Sequence, residues 1–449
     1  MGKRRKRNEE QRFLAANAKK EILRFALPVA GSGFFQQAYS LFHAAVVSRS
    51  LSITAIAVFG ACGAFVSMQS FVANGMTTGF GFYLSRCYGR GDKELYRKSF
   101  TAAIVCTAAL FALSVLLLAG IAPLMRLAKI PEDLWEMCRG YLCVLILGTG
   151  FLGFRNLMVC VLQGMGESAF PGILTAAGVV SQTGILLAVL SVVPGMYGPP
   201  LAVLLNNALL GGILFFYLKK RYGEHAAFFN PKQISGGVYA ELLTSGCSKS
   251  GMMILVGIGG FFMQRAQNTL SSDILAGSSL ADSLSNFFLV PFSALAQTAG
   301  MAAGQNMGRK EYETVRLYNR RLLVLHMAGT VVVLFVSMTA GTFLIRLLAG
   351  EAVSANVVAA GELWLKICMP GFLGLGAAMI CRNSLQSMGC YNKLICLGFL
   401  EMGVTVIFAL FCVPRFGYPA YCASIAVKWT ALGVAAGYWY VKKLRFLTR

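Results

Sequence analysis

Residues 89–97 read GRGDKELYR, and residues 308–316 read GRKEYETVR. The two stretches share a glycine, two arginines and two acidic positions in the same order. Further matches follow at nearly the same spacing: GFLG at 150–153 and 371–374, MVC at 158–160 and MIC at 379–381, and LQGMG at 162–166 and LQSMG at 385–389. Several matches in one order at one spacing indicate an internal duplication. We therefore expect the second half of the chain to repeat the fold of the first.

Each repeat is built mainly from apolar residues. Of the 449 residues, 57% are hydrophobic and 13% are charged, and the mean hydropathy is +0.65. A helix needs roughly 20 apolar residues to cross a bilayer, and the chain carries enough apolar segments for twelve such helices. This composition excludes a soluble enzyme, a disordered chain and a secreted disulfide protein. We predict an all-α integral membrane protein with 12 transmembrane helices.

The basic residues predict how these helices are oriented. The formal net charge is +22, from 40 Lys and Arg against 18 Asp and Glu. Most of the basic residues fall in the two tails and in alternate loops, and Arg155 and Arg382 are counted with this group. Because positively charged loops remain in the cytoplasm, we predict a multi-pass cell-membrane protein with both termini cytoplasmic, in a bacterial inner membrane. The charge is then topological, and no nucleic-acid partner is expected.

The duplication also predicts the domain organisation. Six helices per repeat insert both halves the same way up, so the repeat is parallel. We predict two six-helix lobes: a basic cytoplasmic tail (1–20), an N-lobe (21–218), a cytoplasmic linker (219–239), a C-lobe (240–441) and a second cytoplasmic tail (442–449). Two such lobes facing each other suggest alternating access, by analogy of fold.

Sequence patterns for catalysis or metal binding are missing. The chain has no P-loop, no GxSxG and no HExxH, and its 13 Cys and three His show no metal-ligand spacing. We therefore predict that the protein is not an enzyme and has neither a metal site nor an organic cofactor.

Four stretches resemble the MATE (multidrug and toxic compound extrusion) family. ILRFALPVAGSGFFQQAYSLFHAAVVSRS at 22–50 resembles its first helix, GRGDKE its loop after the second helix, LQGMGES its loop after the fourth, and GQNMGRKEYETVR its loop after the eighth. The likeness covers about residues 20–441 and keeps their order. The resemblance implies a secondary active exporter that exchanges amphipathic, often cationic, compounds for H⁺ or Na⁺.

The first helix departs from the family pattern. Many members carry an Asp fifteen residues after the proline of this helix, whereas here Pro28 is followed at that distance by His43. A histidine can carry a proton near neutral pH, so His43 is a candidate for cation coupling, and a purely structural histidine is the alternative. Neutral imidazole is a poor ligand for Na⁺, which favours H⁺ as the coupling ion. The resemblance also makes Pro28 a candidate for bending this helix.

Uncharged polar residues supply candidates for a substrate cavity. Gln36, Tyr39 and Ser40 share one helix face with His43, at positions i, i+3, i+4 and i+7. A polar stripe of this kind is expected to face a cavity rather than lipid. Asn74 and Asn286 are further cavity candidates, although single polar residues in membrane helices also hold helices together.

The C-lobe carries ionisable residues within apolar segments, where they are costly. Asp282 and Asn286 lie four residues apart in the predicted eighth helix. Glu401 and Lys428 lie at similar distances from the turn between the last two helices, so they are candidates for an intramembrane ion pair. Asp282 and Glu401 are both candidates for cation coupling, and structural roles for them stay open.

Together these patterns predict a cation-coupled secondary active multidrug exporter that works by alternating access of its two lobes, with H⁺ favoured over Na⁺ as the coupling ion. Its expected partners are small amphipathic, cationic compounds and membrane lipids, and we expect a monomer. One alternative is a flippase for a lipid-linked saccharide, which would need a basic cavity, whereas only Lys249 and Lys428 are predicted as cations inside the spans. The other is a non-transporting membrane scaffold or sensor, suggested by the aspartate missing at position 43.

Overall fold

The computed structural model describes residues 18–50, 53–127, 130, 132–193, 195–350 and 354–448, and most of these residues are helical. Twelve long helical spans follow one another in these ranges: α1 (Ala18–Ser50), α2 (Ile53–Gly89), α3 (Lys93–Leu116), α4 (Trp135–Gly164), α5 (Ala169–Val192), α6 (Gly198–Tyr222), α7 (Gly236–Gln267), α8 (Ser272–Gly308), α9 (Tyr312–Ala349), α10 (Ala355–Ser387), α11 (Tyr391–Phe416) and α12 (Tyr418–Leu447). Within the described ranges, the ten helices α3 to α12 are long and apolar enough to cross a membrane.

Proline marks the interruptions of these spans. In α10 a 3₁₀ turn, Met369–Gly371, joins two α-helical segments at Pro370, whose backbone nitrogen cannot donate a hydrogen bond. In α11 a π-helical turn, Phe408–Cys412, ends two residues before Pro414. Pro28 lies inside α1, which runs as one helix through it.

The described chain divides into two compact units. The N-unit comprises Gly31–Ser250, and the C-unit comprises residues 18–30 together with 251–448. Both boundaries fall inside a helix, within α1 and within α7. The lobes predicted from sequence, 21–218 and 240–441, stay predictions.

The duplicated loops adopt duplicated conformations. Gly166 and Gly389 end α4 and α10 with φ angles of 89° and 78°. In each case the backbone N–H of the following residue donates to the carbonyl five positions back, Leu162 or Leu385, at 2.9 Å. This arrangement closes the helix end and needs a left-handed residue, which glycine supplies at low cost. The repeat in sequence is therefore a repeat in backbone conformation.

The loops before α3 and α9 differ at one equivalent position. Gly91 has a φ of 73°, and Lys310 has a φ of 64°. A side chain costs roughly 1–2 kcal/mol in the left-handed region, and an added Cβ on Gly91 would meet no atom within 4 Å. Any effect of substitution there is consequently one of backbone conformation, not of packing.

We expect Gly91→Lys to lower the free energy of unfolding by about 1–2 kcal/mol. The reverse change, Lys310→Gly, should be nearly neutral, because relief of the left-handed strain is offset by the larger entropy of glycine in the unfolded chain. Thermal denaturation of both purified variants in detergent measures the difference. Equal losses in the two variants would contradict this account.

Small residues let helices approach closely in the N-unit. A Cβ on Gly79 of α2 would lie 2.5 Å from the backbone oxygen of Ser245 in α7. The Ser245 hydroxyl donates to the Gly79 carbonyl oxygen at 2.7 Å, and the Ser250 hydroxyl donates to that of Val72 at 3.1 Å. Close backbone contact with hydroxyl donors is a common way to join helices in lipid, where burial from water supplies no driving force.

The C-unit has its own close crossing between α10 and α12. A Cβ on Gly433 would lie 2.6 Å from the carbonyl oxygen of Gly374, and one on Gly374 would lie 2.6 Å from the Cα of Thr430. Nearby, the buried His326 of α9 lies 3.0 Å from the carbonyl oxygen of Phe372 through Nε2. The core of this unit therefore includes backbone contacts as well as apolar side chains.

Candidate functional site

Three charged side chains meet inside the C-unit. Glu401 of α11 lies between two cations: its Oε2 is 3.8 Å from Nη1 of Arg382 in α10, and its Oε1 is 3.9 Å from Nζ of Lys428 in α12. The exposed fractions of these side chains are 11%, 18% and 19%. The cluster carries one more positive than negative charge.

Asp282 and Asn286 lie in the same unit, on an exposed face of α8. The Asn286 amide donates to Asp282 Oδ2 at 3.4 Å, one helical turn away. Among the described residues, no cation lies within ion-pair distance of Asp282. Counted with Arg382, Glu401 and Lys428, this aspartate brings the charge of the group to zero.

In the N-unit, Arg155 is the centre of a second polar group. Arg155 lies in α4 and is half-buried, and its Nη2 and Nε donate to Asn156 Oδ1 at 2.9 and 3.3 Å. The Asn156 amide in turn donates to Oδ1 of Asn74 in α2, which is exposed. We call Arg155, Asn156 and Asn74 the arginine–amide group.

Two further amides hold helices of the N-unit together. Gln69 of α2 donates to the Leu145 carbonyl oxygen at 2.7 Å and to the Thr149 hydroxyl at 2.8 Å, both in α4. Asn206 of α6 donates to the Gly178 carbonyl oxygen of α5 at 3.0 Å and accepts from Ser181 at 2.8 Å. Each of these two amides forms its hydrogen bonds with a neighbouring helix, as interhelical amides in membranes do.

The first-helix candidates are only partly described. Gln36 lies on the exposed surface of α1, and Pro28 is half-buried. The side chains of Tyr39, Ser40 and His43 lie outside the described residues, although their backbone belongs to α1. The roles assigned to them in cation coupling and in the substrate cavity stay predictions.

The charge pattern counts Arg155 and Arg382 with the cytoplasmic basic residues, whereas the structure places both inside long helices, α4 and α10. Each follows a run of apolar residues and is itself followed by an asparagine, as in GFLGFRNLMVCVL and AAMICRNSL. The apolar run before each arginine was the available signal that the helix continues through it.

Among the side chains that the structure describes, no group of three His, Cys, Asp or Glu residues could hold a metal ion. The ionisable groups of both units instead contact amides and oppositely charged side chains. The carboxylates among them can carry protons or bind cations, and the arginines and lysine can bind anions.

Comparison with known proteins places the chain in a family. The MatE family model matches it twice, over residues 28–190 and over residues 250–411, with one match in each half. The probable multidrug resistance protein YpnP of Bacillus subtilis (strain 168) is 22% identical over 448 residues, which cover 97% of this chain and 95% of that protein.

Solved structures show the same fold. An outward-facing multidrug resistance MATE family transporter of the MOP superfamily has a TM-score of 0.85 at 17% identity, with 96% of this chain and 97% of that chain covered. A MOP superfamily transporter from Pyrococcus furiosus, described as having a binding pocket of reversed polarity that suggests a different function, has a TM-score of 0.84 at 17% identity with the same coverage.

The predicted fold class is confirmed by these matches: an all-α multi-pass membrane protein with twelve helices in two lobes. The paired match of the family model agrees with the duplication seen in the loops before α3 and α9. Since the family model covers well over half of the chain, we conclude that the protein belongs to the MatE family.

Proposed function

We propose that the protein is a secondary active transporter that exports small amphipathic compounds in exchange for protons, by alternating access of its two lobes. Support comes from membership of the MatE family and from the name of its relative YpnP, a probable multidrug resistance protein. The observation that carries the coupling proposal is Asp282, a carboxylate within α8 without an ion-pair partner among the described residues.

Asp282 suits proton exchange better than Glu401 does. Glu401 already contacts two cations, so its charge is compensated within the protein. Asp282 has only the Asn286 amide as a described hydrogen-bond partner, and it lies on an exposed face of its helix. Gain and loss of a proton there changes the local charge, and a ligand or proton shifts the equilibrium toward the conformation that binds it better.

Protons fit this group better than Na⁺ does. A hard cation prefers several oxygen ligands, whereas Glu401 already contacts Arg382 and Lys428, and Asp282 has the Asn286 amide as its described hydrogen-bond partner. Protonation needs only one accessible carboxylate. His43 remains a second candidate proton carrier, in the N-unit.

Transport by purified protein in proteoliposomes tests the proposal. We would follow export of two xanthene dyes, fluorescein and tetramethylrhodamine ethyl ester, under an imposed pH gradient and separately under an imposed Na⁺ gradient. The pH gradient should drive export of at least one dye and the Na⁺ gradient should not. Export under Na⁺ alone, or under neither gradient, would count against the proposal.

Asp282→Asn should reduce pH-driven export to the rate of empty liposomes while leaving dye exchange without a gradient intact. Asp273→Asn, in the first turn of the same helix, is the matched control and should behave as the wild type. His43→Ala, measured in the same way, tests the first helix. If Asp282→Asn keeps full pH-driven export and His43→Ala loses it, coupling is carried by the N-unit.

A flippase for an anionic lipid headgroup is the second candidate. The observation in its favour is that two further cations, Arg155 and Arg382, lie within long helices rather than in the loops between them. A basic cavity is what such a substrate requires.

A further inference from the structure

Arg155 lies deep in its helix and remote from the loops. It precedes the last residue of α4, Gly164, by nine positions, which corresponds to about 14 Å along the helix axis. A guanidinium is costly at this depth unless it meets an anion or water. The partly exposed arginine–amide group therefore faces a polar space or a ligand rather than lipid.

The described carboxylates close to cations in the N-unit pair with side chains other than Arg155. Five ion pairs account for them: Arg86–Glu241, Lys93–Glu224, Lys98–Glu94, Arg139–Glu136 and Arg221–Glu167. No described carboxylate lies within ion-pair distance of Arg155. Among the described side chains, Arg155 donates hydrogen bonds to the neutral amide oxygen of Asn156, which leaves its positive charge unneutralised.

Intramembrane charge in the C-unit is balanced. Arg382 and Lys428 offset Glu401 and Asp282, so the described groups there leave no net negative charge for a cationic compound. With Arg155 and the buried Lys249 of α7 added, the charges of these groups sum to a positive value. This result opposes the cationic substrates expected from the sequence.

The geometry of the arginine–amide group suits an oxyanion. A guanidinium has five N–H donors in one plane and binds carboxylates and phosphates through two parallel hydrogen bonds. The contacts to Asn156 involve Nε and Nη2 and leave further donors for a ligand. These contacts also fix the plane of the guanidinium, and the hydrogen bond from Asn156 to Asn74 fixes the amide in turn. A preorganised charged donor of this kind gives strong, directional hydrogen bonds.

From this arrangement we propose that Arg155, held by Asn156 and Asn74, binds an anionic group of the transported compound: a carboxylate, a sulfonate or a phosphate. The compound is then an anionic or zwitterionic amphipath rather than a simple cation. This inference specifies the substrate class of the proposed transporter and rests on that function. The anionic group could belong to a soluble compound or to a lipid headgroup, since the chemistry of recognition is the same.

Equilibrium binding to the purified protein tests the inference without any transport. Fluorescein carries a carboxylate, whereas tetramethylrhodamine ethyl ester has a similar xanthene core, an ester and a positive charge. We expect fluorescence anisotropy to show tighter binding of fluorescein by the wild type. Arg155→Gln should raise the Kd of fluorescein about tenfold or more, because a hydrogen bond to a charged group is lost. Binding of the rhodamine ester should stay unchanged or improve.

Two further variants separate charge from packing. Arg155→Lys keeps the positive charge and should retain part of the affinity for fluorescein. Arg139→Gln removes an exposed arginine near the start of the same helix and should bind fluorescein as the wild type does. The inference is overturned if folded wild type does not bind fluorescein, if Arg155→Gln binds it unchanged, or if the variant loses both dyes equally.

A lipid assay distinguishes the two sources of the anion. Proteoliposomes containing NBD-labelled phosphatidylglycerol or phosphatidylcholine report translocation through dithionite quenching. If the protein translocates phosphatidylglycerol but not phosphatidylcholine, and this translocation depends on Arg155, the ligand is a lipid headgroup. If neither lipid is translocated although fluorescein binds, the ligand is a soluble compound. Failure of any gradient to export either dye would reject the proposed exporter, while the binding comparison would still decide the role of Arg155.

Discussion

Replacement of Glu401 by glutamine is expected to destabilise the protein by about 3–5 kcal/mol, the range for breaking a buried ion pair on one side. The change leaves the guanidinium of Arg382 and the ammonium of Lys428 together without the carboxylate that each contacts now. Both cations lie among apolar helices, where water can screen them only partly. Thermal denaturation in detergent, followed by fluorescence-detected size exclusion, measures the loss.

The double variant Glu401→Gln, Lys428→Met is the control for this prediction. Removing one of the two stranded cations should restore part of the stability, since buried ion pairs can often be replaced by apolar groups at little cost. Lys428→Met alone leaves Glu401 with Arg382 and should cost less than Glu401→Gln. A Glu401→Gln protein that denatures at the wild-type temperature would show that the three charges are solvated well enough not to need each other.

Gly433→Ala is the second substitution with a large expected effect, a loss of about 3 kcal/mol, at the upper end of the usual cost of overpacking. The added Cβ would lie 2.6 Å from the carbonyl oxygen of Gly374 and 2.9 Å from its Cα. Both atoms belong to the backbone of α10, so no side chain can rotate away. The two helices have to separate, which also disturbs Arg382 on α10 and Lys428 on α12.

The same helix supplies the control. Gly437 lies about one turn beyond Gly433 in α12, and a Cβ there would meet nothing within 4 Å. Gly437→Ala should therefore raise stability by up to about 1 kcal/mol, the usual helix-propensity difference between the two residues. Thermal denaturation in detergent measures the stability of both variants. If Gly433→Ala were as stable as Gly437→Ala, the close crossing of α10 and α12 would not be a constraint on the fold.

The internal repeat and the hydropathy pattern together predicted most of the fold. The repeated GR-x-acidic loops and LQ-x-MG motifs are local and need no tertiary information, so they located equivalent turns correctly. Counting residues from the turn near Arg415 placed Glu401 and Lys428 at equal depth, and the structure has their charged atoms 3.9 Å apart. Depth along a hairpin can be counted because each helical residue advances the chain by 1.5 Å.

The third partner of this cluster could not be found in that way. Arg382 reaches Glu401 from α10, and its azimuth on that helix depends on how α10 packs against α11 and α12. Hydropathy averaged over a window says nothing about azimuth, so Arg382 and Arg155 were counted with the loop cations near them. A polar residue in an apolar run indicates only that something polar must face it. For Arg155, the structure identifies the Asn156 amide, which in turn contacts the Asn74 amide.

The boundaries of the two units fall after Ala30 and after Ser250, at equivalent places of the repeat. The start of α1 thus belongs to the unit built from the second half of the sequence, and the start of α7 to the unit built from the first. If the chain were cut between α6 and α7, the first fragment would lack Ser245 and Ser250, which bond to α2. We therefore expect a fragment that ends after α6 to be less stable than the complete N-unit, because α2 would lose these two hydrogen-bond donors.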